Sequence, residues 1–165
     1  MTAHHLRGGW VIWTSVLVAL LLSITPLPQA LNAFRPLWVA LVFIYWSLFL
    51  PHRVSMVAAF IFGVLLDVMV NSLLGQNSLV LVLTVYFSLL FQHKIRPQPI
   101  LRQTIMISVI LILGQLIQLW INVLTGIYPS NFSIFDYIFP IITSAIIWPW
   151  LAAALRALRI RMGIN

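Results

Sequence analysis

The chain has 165 residues, of which 62% are hydrophobic and only 7% are charged. Soluble domains average about 25% charged residues, so this composition excludes a soluble globular protein and indicates an all-α integral membrane protein, with residues 1–165 forming one transmembrane domain. The formal net charge is +7, but the basic residues are spread over short loops. That distribution is typical of membrane orientation rather than of nucleic-acid binding. There is no cysteine, which excludes thiol chemistry.

Six apolar runs predict six transmembrane helices, at approximately 10–25, 37–50, 54–71, 79–92, 103–126 and 134–155. The first run is uncharged and is followed by Pro26 and Pro28. A signal peptide is the competing interpretation, since a basic start and an apolar core are both present. No convincing small-x-small cleavage site follows the run, which favours a retained helix.

The second and third runs are separated by Pro51-His52-Arg53. A single kinked helix over 37–71 would span roughly 50 Å, against a hydrocarbon core of about 30 Å. It would also place Arg53 near the bilayer centre, at a cost of about 2.5–3.5 kcal/mol. We therefore expect a helical hairpin with Arg53 at a membrane surface. The first arm is short for a span and contains the aromatic residues Trp38, Tyr45 and Trp46.

The second arm carries a stripe of small or polar residues spaced four apart: Ser55, Ala59, Gly63, Asp67 and Asn71. In lipid, such a stripe is where helices approach closely and form hydrogen bonds. One interpretation is that the stripe only packs helices of this chain together. The other is that Asp67, the only acid inside an apolar run, also tunes a functional state. Either way, Gly63→Leu is expected to disturb the contact by overpacking.

The fifth run has no charge but carries Ser108, Gln115, Gln118, Asn122 and Thr125 on one helix face. Such a polar seam should face other helices or a wet cavity.

The sixth run begins with Ser133-Ile-Phe-Asp136, the pattern of a capping box, so we interpret Asp136 as part of a helix start and not as a catalytic acid. Pro140 and Pro149 should kink this helix. Trp148 and Trp150 flank the second proline near the far end of this helix. Tryptophans commonly anchor at the membrane interface in such a position.

The basic residues give the orientation. With six spans, one side holds Arg7, Arg53, Lys94, Arg96, Arg102, Arg156, Arg159 and Arg161. The other side holds Arg35 alone. Because cytoplasmic loops carry the excess of basic residues, both termini are expected in the cytoplasm.

No catalytic, cofactor or metal site is predicted. The chain has two acids and four histidines, and no span carries two acids or an acid with a histidine that could serve as acid and base. Phosphate-binding, metal-binding and Ser-x-x-Lys motifs are absent from the sequence.

Arg35 and Asp67 are candidates for an ion pair. Arg35 lies 17 residues before the hairpin centre near residue 52, and Asp67 lies 15 residues after it. Antiparallel helices would place them at similar depth, near the outer surface, where an unpaired carboxylate is costly. The alternative is that Arg35 extends to lipid headgroups while Asp67 bonds to Asn71 or Gln118. We favour the pair.

Three blocks of the sequence resemble the rod shape-determining protein family MreD. They are residues 35–54, then Gly63-x3-Asp67 followed by Leu74-Gly75, and Trp148-Pro149-Trp150. The likeness covers nearly the whole chain and is closest to the short MreD of gamma-proteobacteria. The matched motif positions are Arg35, Pro36, Gly63, Asp67 and Gly75. The chain departs from the family pattern at Asn71, near which we expect a glycine.

The resemblance implies an inner-membrane subunit of the cell-wall elongation machinery that has no catalytic role. It implies association with MreC, and through MreC with MreB, the glycosyltransferase RodA and a class B penicillin-binding protein. It also implies a fold similar to the substrate-binding subunit of ECF-type vitamin transporters.

Two other functional classes stay open. A small-molecule-binding subunit of a transporter would need a polar pocket on the outer side, which Arg35, Asp67, Asn71, Gln118 and Asn122 could line. An ion or proton path is disfavoured by the scarcity of acids.

Overall fold

The computed structural model describes residues 4–25, 34–126 and 133–161. This part of the chain forms six helices and no strand: α1 (His4–Ile24), α2 (Trp38–Phe49), α3 (Met56–Val70), α4 (Gln76–Ile95), α5 (Ile100–Thr125) and α6 (Phe135–Arg161). The predicted helices are thus confirmed as elements. Helices α4, α5 and α6 are long and apolar enough to cross a membrane, whereas α2, α3 and the apolar part of α1, Gly9–Ile24, are shorter.

Helix α2 is the core of the bundle. Ten of its twelve residues are buried, including Tyr45 and Trp46. It packs against α1, α4 and α6. The indole N–H of Trp46 donates a hydrogen bond to the hydroxyl of Ser15 at 2.8 Å. The sequence marks this helix as short for a span, and the structure shows that protein surrounds it, so lipid does not set its length.

The other five helices form a shell with an apolar outer surface. Large exposed side chains occur on every one of them, for example Trp10, Val68, Leu90, Trp120 and Trp150. A soluble monomer rarely exposes apolar surface on this scale, because contiguous patches larger than a few hundred Å² mark contacts with a partner or a membrane. The surface therefore agrees with the composition in indicating a membrane protein.

The chain breaks between α2 and α3 as predicted, with a turn at 51–53. The closely packed pair, however, is α3 with α4 rather than α3 with α2. Gly63 lies against the backbone of α4, where an added Cβ would be only 2.3 Å from the Cα of Ser78. Ala59 and Asp67 are fully buried on the same face of α3. The predicted close contact is confirmed at Gly63, and its partner is α4.

Helix α6 corrects two expectations. Trp148 is fully buried, with its ring centroid 6.4 Å from that of Tyr45, so it is a core residue and not an interface anchor. Trp150 is 79% exposed, because two residues along a helix correspond to a rotation of about 200°. The capping box does not form either. The Ser133 hydroxyl accepts from the N–H of Phe135 at 3.3 Å, while the N–H of Asp136 donates to the Ser133 carbonyl.

The contact at Gly63 predicts a selective effect of one methyl group. Gly63→Ala must push α3 and α4 apart, and we expect it to destabilise the protein by about 1–3 kcal/mol. In α1, Gly9→Ala is the matched control, because its new Cβ has nothing within 4 Å and alanine favours a helix. Thermal unfolding of the purified proteins in detergent measures both. Equal unfolding temperatures for the two variants would contradict the close contact.

Candidate functional site at the polar end of the bundle

The carboxylate of Asp67 lies at the end of α3, where it is fully buried and accepts six hydrogen bonds. The backbone N–H groups of Gly75, Asn77 and Ser78 donate at 2.9, 2.8 and 3.4 Å. The side chains of Ser72, Asn77 and Ser78 donate at 2.8, 2.9 and 3.1 Å. All of the donors come from residues 72–78, so one carboxylate organises the whole α3–α4 turn.

These bonds cap α4 from outside that helix. The first N–H groups of a helix have no partner within it. The N-cap of α4 is Gly75, which adopts a left-handed conformation with φ 97° and has no side chain with which to cap them. Asp67 supplies the acceptor, and its negative charge is favourable at a helix N-terminus. The sequence placed the start of the fourth helix at 79, and this capping explains why α4 begins at Gln76.

Asn71 ends α3 in the left-handed conformation, with φ 53°. The resemblance led us to expect a glycine in this region, because glycine adopts such a conformation without strain. Asparagine is one of the few other residues that visits it routinely. The departure in the sequence therefore preserves the shape of the turn.

The predicted ion pair between Arg35 and Asp67 is wrong. The six donors to Asp67 all belong to the turn that follows it. The guanidinium of Arg35 donates instead to the backbone carbonyl of Thr25. Its Nε is buried and has no hydrogen-bond partner among the described residues. Equal depth of two residues does not fix the rotation of their helices, and in the structure the turn that follows Asp67 supplies its donors.

A cavity of about 370 Å³ lies beside this turn and has walls from all six helices. Its polar lining consists of Ser23, Arg35, Ser72, Asn77, Thr84, Gln115, Gln118, Asn122, Asp136 and Tyr137. Of the residues predicted to form a polar pocket, Arg35, Gln118 and Asn122 line it, whereas Asp67 and Asn71 do not. Pro36 and Trp38 also contribute to the wall. The prediction that the polar seam of the fifth run faces other helices or a cavity is confirmed for Gln115, Gln118 and Asn122.

A chain of side-chain hydrogen bonds braces this wall across three helices. The side-chain amide nitrogen of Gln76 on α4 donates to Oδ1 of Asn122 at 2.8 Å. The side-chain Nδ2 of Asn122 in turn donates to the hydroxyl of Tyr137 on α6 at 2.7 Å. Ser108 and Thr125, at the two ends of the polar seam, do not take part in this chain of hydrogen bonds. Their hydroxyl groups donate to backbone carbonyls of their own helix.

The opposite end of the bundle is basic. The guanidinium groups of Arg96 and Arg159 lie over the ring of Phe49, at 5.7 and 4.8 Å from its centroid. Such cation–π contacts hold arginine side chains against an apolar body. Arg53 lies at the same end of the bundle as Phe49, in the half-buried turn at 51–53 between α2 and α3. Among the residues that the structure describes, no three histidine or acidic side chains come together as a metal site.

Sequence reasoning missed Ser72, Gln76, Asn77 and Ser78, which lie between the predicted helices at 54–71 and 79–92. The available signal was the run Gly75-Gln-Asn-Ser78 directly before an apolar stretch, since these are residue types that favour helix starts. Tyr137 was also missed, because nothing in the sequence shows that α6 turns this face toward Asn122.

These features define a helical membrane protein with a buried acid that organises a polar end, a cavity beside that acid, and a basic opposite end. Comparison with known proteins identifies the family. The model of the rod shape-determining protein MreD matches residues 5–158, and the chain belongs to that family. It is 25% identical to the rod shape-determining protein MreD of Haemophilus influenzae (strain ATCC 51907 / DSM 11121 / KW20 / Rd), with 100% of both chains covered. No solved structure matches the chain, so the similarity to ECF-type subunits stays a prediction.

The capping role of Asp67 predicts a large effect of its neutralisation. In Asp67→Asn an amide NH₂ replaces one acceptor oxygen and faces donors, so we expect a loss of at least about 2 kcal/mol of stability. Asp136→Asn is the matched control, because Asp136 is exposed and its carboxylate accepts no hydrogen bond from the described residues, and it should change stability by less than about 0.5 kcal/mol. Unfolding of both variants in detergent measures the difference. An Asp67→Asn protein as stable as the control would show that the turn does not depend on the carboxylate.

Proposed function

We propose that the chain is a non-catalytic membrane scaffold or regulator of the cell-wall elongation complex that maintains rod cell shape, and that it acts through MreC. The observation that carries the proposal is membership of the MreD family over residues 5–158. Through MreC the chain would join MreB, RodA and a class B penicillin-binding protein in one complex. A scaffold of this kind works by presenting a fixed surface, and the packing of α3 on α4 supports such a role.

The two acids support a non-catalytic role. Both carboxylate oxygens of Asp67 accept hydrogen bonds from the turn that follows it. Asp136 is at the exposed start of α6, on the rim of the cavity. Among the described residues, neither acid forms a hydrogen bond or an ion pair with a histidine, as acid–base catalysis would need. Asp67 has a structural role, because it holds the turn between α3 and α4. Its effect on function would come through the shape that these two helices present to MreC.

We further propose that the chain forms one domain that crosses the inner membrane six times, with both termini in the cytoplasm. Eight of the nine basic residues fall on one side of such a topology. The guanidinium groups over Phe49 and the turn holding Arg53 lie at the end assigned to the cytoplasm. The burial of α2 supports six crossings despite its length of 12 residues, because a helix enclosed by protein does not need to match the lipid.

A second candidate is the small-molecule-binding subunit of a transporter. The cavity of about 370 Å³ beside Arg35 favours it. The two functions differ in what cells lose with the protein. A scaffold of wall synthesis affects shape in any medium, whereas an uptake subunit affects growth only when its nutrient is limiting.

Depletion of the protein in a rod-shaped host tests the proposal. We expect cells to become round in rich and minimal media alike, and tagged wild-type protein to restore rods and to co-purify with MreC. Gly63→Leu should fail to restore rods, because it separates the two packed helices. Gly9→Ala should restore them. Normal rods with a nutrient requirement would favour the transporter candidate, and a Gly63→Leu protein that accumulates normally and supports rod shape would contradict the role of the α3–α4 contact.

Reporter fusions test the topology. A reporter after Asn165 or within 93–102 should behave as cytoplasmic, and one within 127–136 as external, because the basic residues are retained inside. Paired reporters that are active only inside or only outside provide the control at each site. An external C-terminus would overturn the six-span topology.

A further inference from the structure

The cavity at the polar end has the size and lining of a small-molecule site. Its volume of about 370 Å³ lies within the range of about 300–1,000 Å³ that is usual for ligand pockets. Much of the wall is apolar, with Leu37, Trp38, Leu81 and Leu111 among its residues.

The side-chain amide of Gln115 lines this cavity and has no hydrogen-bond partner among the described residues. Gln115 is only 7% exposed. An amide in an apolar surrounding needs hydrogen-bond partners, so the Gln115 amide offers its donor and its acceptor to water or to a ligand in the cavity. Gln118 also lines the cavity and likewise forms no side-chain hydrogen bond there. Asn122 lies seven residues beyond Gln115 on α5, so the polar groups extend over about 10 Å of depth.

Two opposite charges also face the cavity without pairing with each other. Arg35 and Asp136 are its charged lining residues, and no salt bridge joins them in the described part of the chain. Within the described part of the chain, the guanidinium of Arg35 forms one hydrogen bond, to the carbonyl of Thr25, although a guanidinium has five donors. The other acid, Asp67, is occupied by its own turn and does not line the cavity. Among the described residues, one cation and one anion therefore face the cavity without an ionic partner.

We propose that this cavity binds a small zwitterion with an apolar body, of the amino-acid or dipeptide class. Arg35 binds the carboxylate of the ligand and Asp136 binds its ammonium group. The apolar body lies against Leu37, Trp38, Leu81 and Leu111. The amides of Gln115 and Gln118, each with a donor and an acceptor, suit a peptide group. The site goes beyond the scaffold role and does not depend on it, since one chain can both bind a ligand and hold a partner.

Thermal unfolding of the purified full chain in detergent tests the proposal with defined probes. The zwitterions are L-phenylalanine and the dipeptide leucyl-phenylalanine. The matched controls are 3-phenylpropanoate, which lacks the ammonium group, and 2-phenylethylamine, which lacks the carboxylate. We expect at least one zwitterion to raise the unfolding temperature in a saturable way, and more than either control probe at the same concentration.

Substitutions at the two charges separate their roles. Arg35→Gln should weaken binding of the zwitterion and of 3-phenylpropanoate by about tenfold or more, as expected for loss of a charge-assisted hydrogen bond. Asp136→Asn should weaken binding of the zwitterion and leave that of 3-phenylpropanoate unchanged. Arg161→Gln, which removes a charge at the opposite end, should change neither. If Arg35→Gln does not fold, Asp136→Asn still decides, because Asp136 is exposed and its carboxylate accepts no hydrogen bond from the described residues.

Three results would overturn the proposal. One is the absence of any shift with both zwitterions. Another is equal shifts with all four probes, which would indicate a nonspecific effect of the solutes. The third is zwitterion binding that survives Asp136→Asn unchanged. Loss of rod shape on depletion is measured separately, so failure of the ligand site and failure of the scaffold role are distinguishable.

Discussion

The buried carboxylate of Asp67 holds the start of α4 against the end of α3, and the polar end of the bundle depends on this contact. Removing a charge from water is strongly unfavourable unless hydrogen bonds replace the hydration. Here six donors do so, and all of them lie within residues 72–78. Each of these donors needs an acceptor as much as the carboxylate needs donors. The turn and the acid therefore stabilise each other.

The position of α4 follows from that contact. With its first turn fixed on Asp67, α4 passes Gly63 so closely that no side chain fits between the two backbones. The same turn places Ser72 and Asn77 in the cavity wall, and Gln76 within hydrogen-bonding distance of Asn122. One acid in an apolar helix thus determines helix packing, the cavity wall and the bracing of α5.

The two ends of the bundle differ in how they treat charge. At the polar end, Asp67 and Arg35 both bond to backbone groups. At the basic end, Arg96 and Arg159 rest on the ring of Phe49. The central helix α2 connects the two regions, since its start contributes to the cavity wall and Phe49 is its last residue. Ten of its twelve residues are buried between the two ends.

The sequence by itself determined the class of protein, the six helices, the break at 51–53 and the close approach at Gly63. Those features follow from runs of apolar residues, from the cost of placing Arg53 in the bilayer and from a four-residue spacing, all of which are local along the chain. Only the tertiary structure decided that α2 is the core, that Trp148 is buried and that Asp67 bonds to its own turn. The physical reason is that lipid and protein interior accept the same apolar side chains, so composition does not show which helix face meets lipid. Spacing likewise fixes the depth of a residue but not the rotation of its helix, and for that reason Arg35 and Asp67 were paired in the prediction and are separate in the structure.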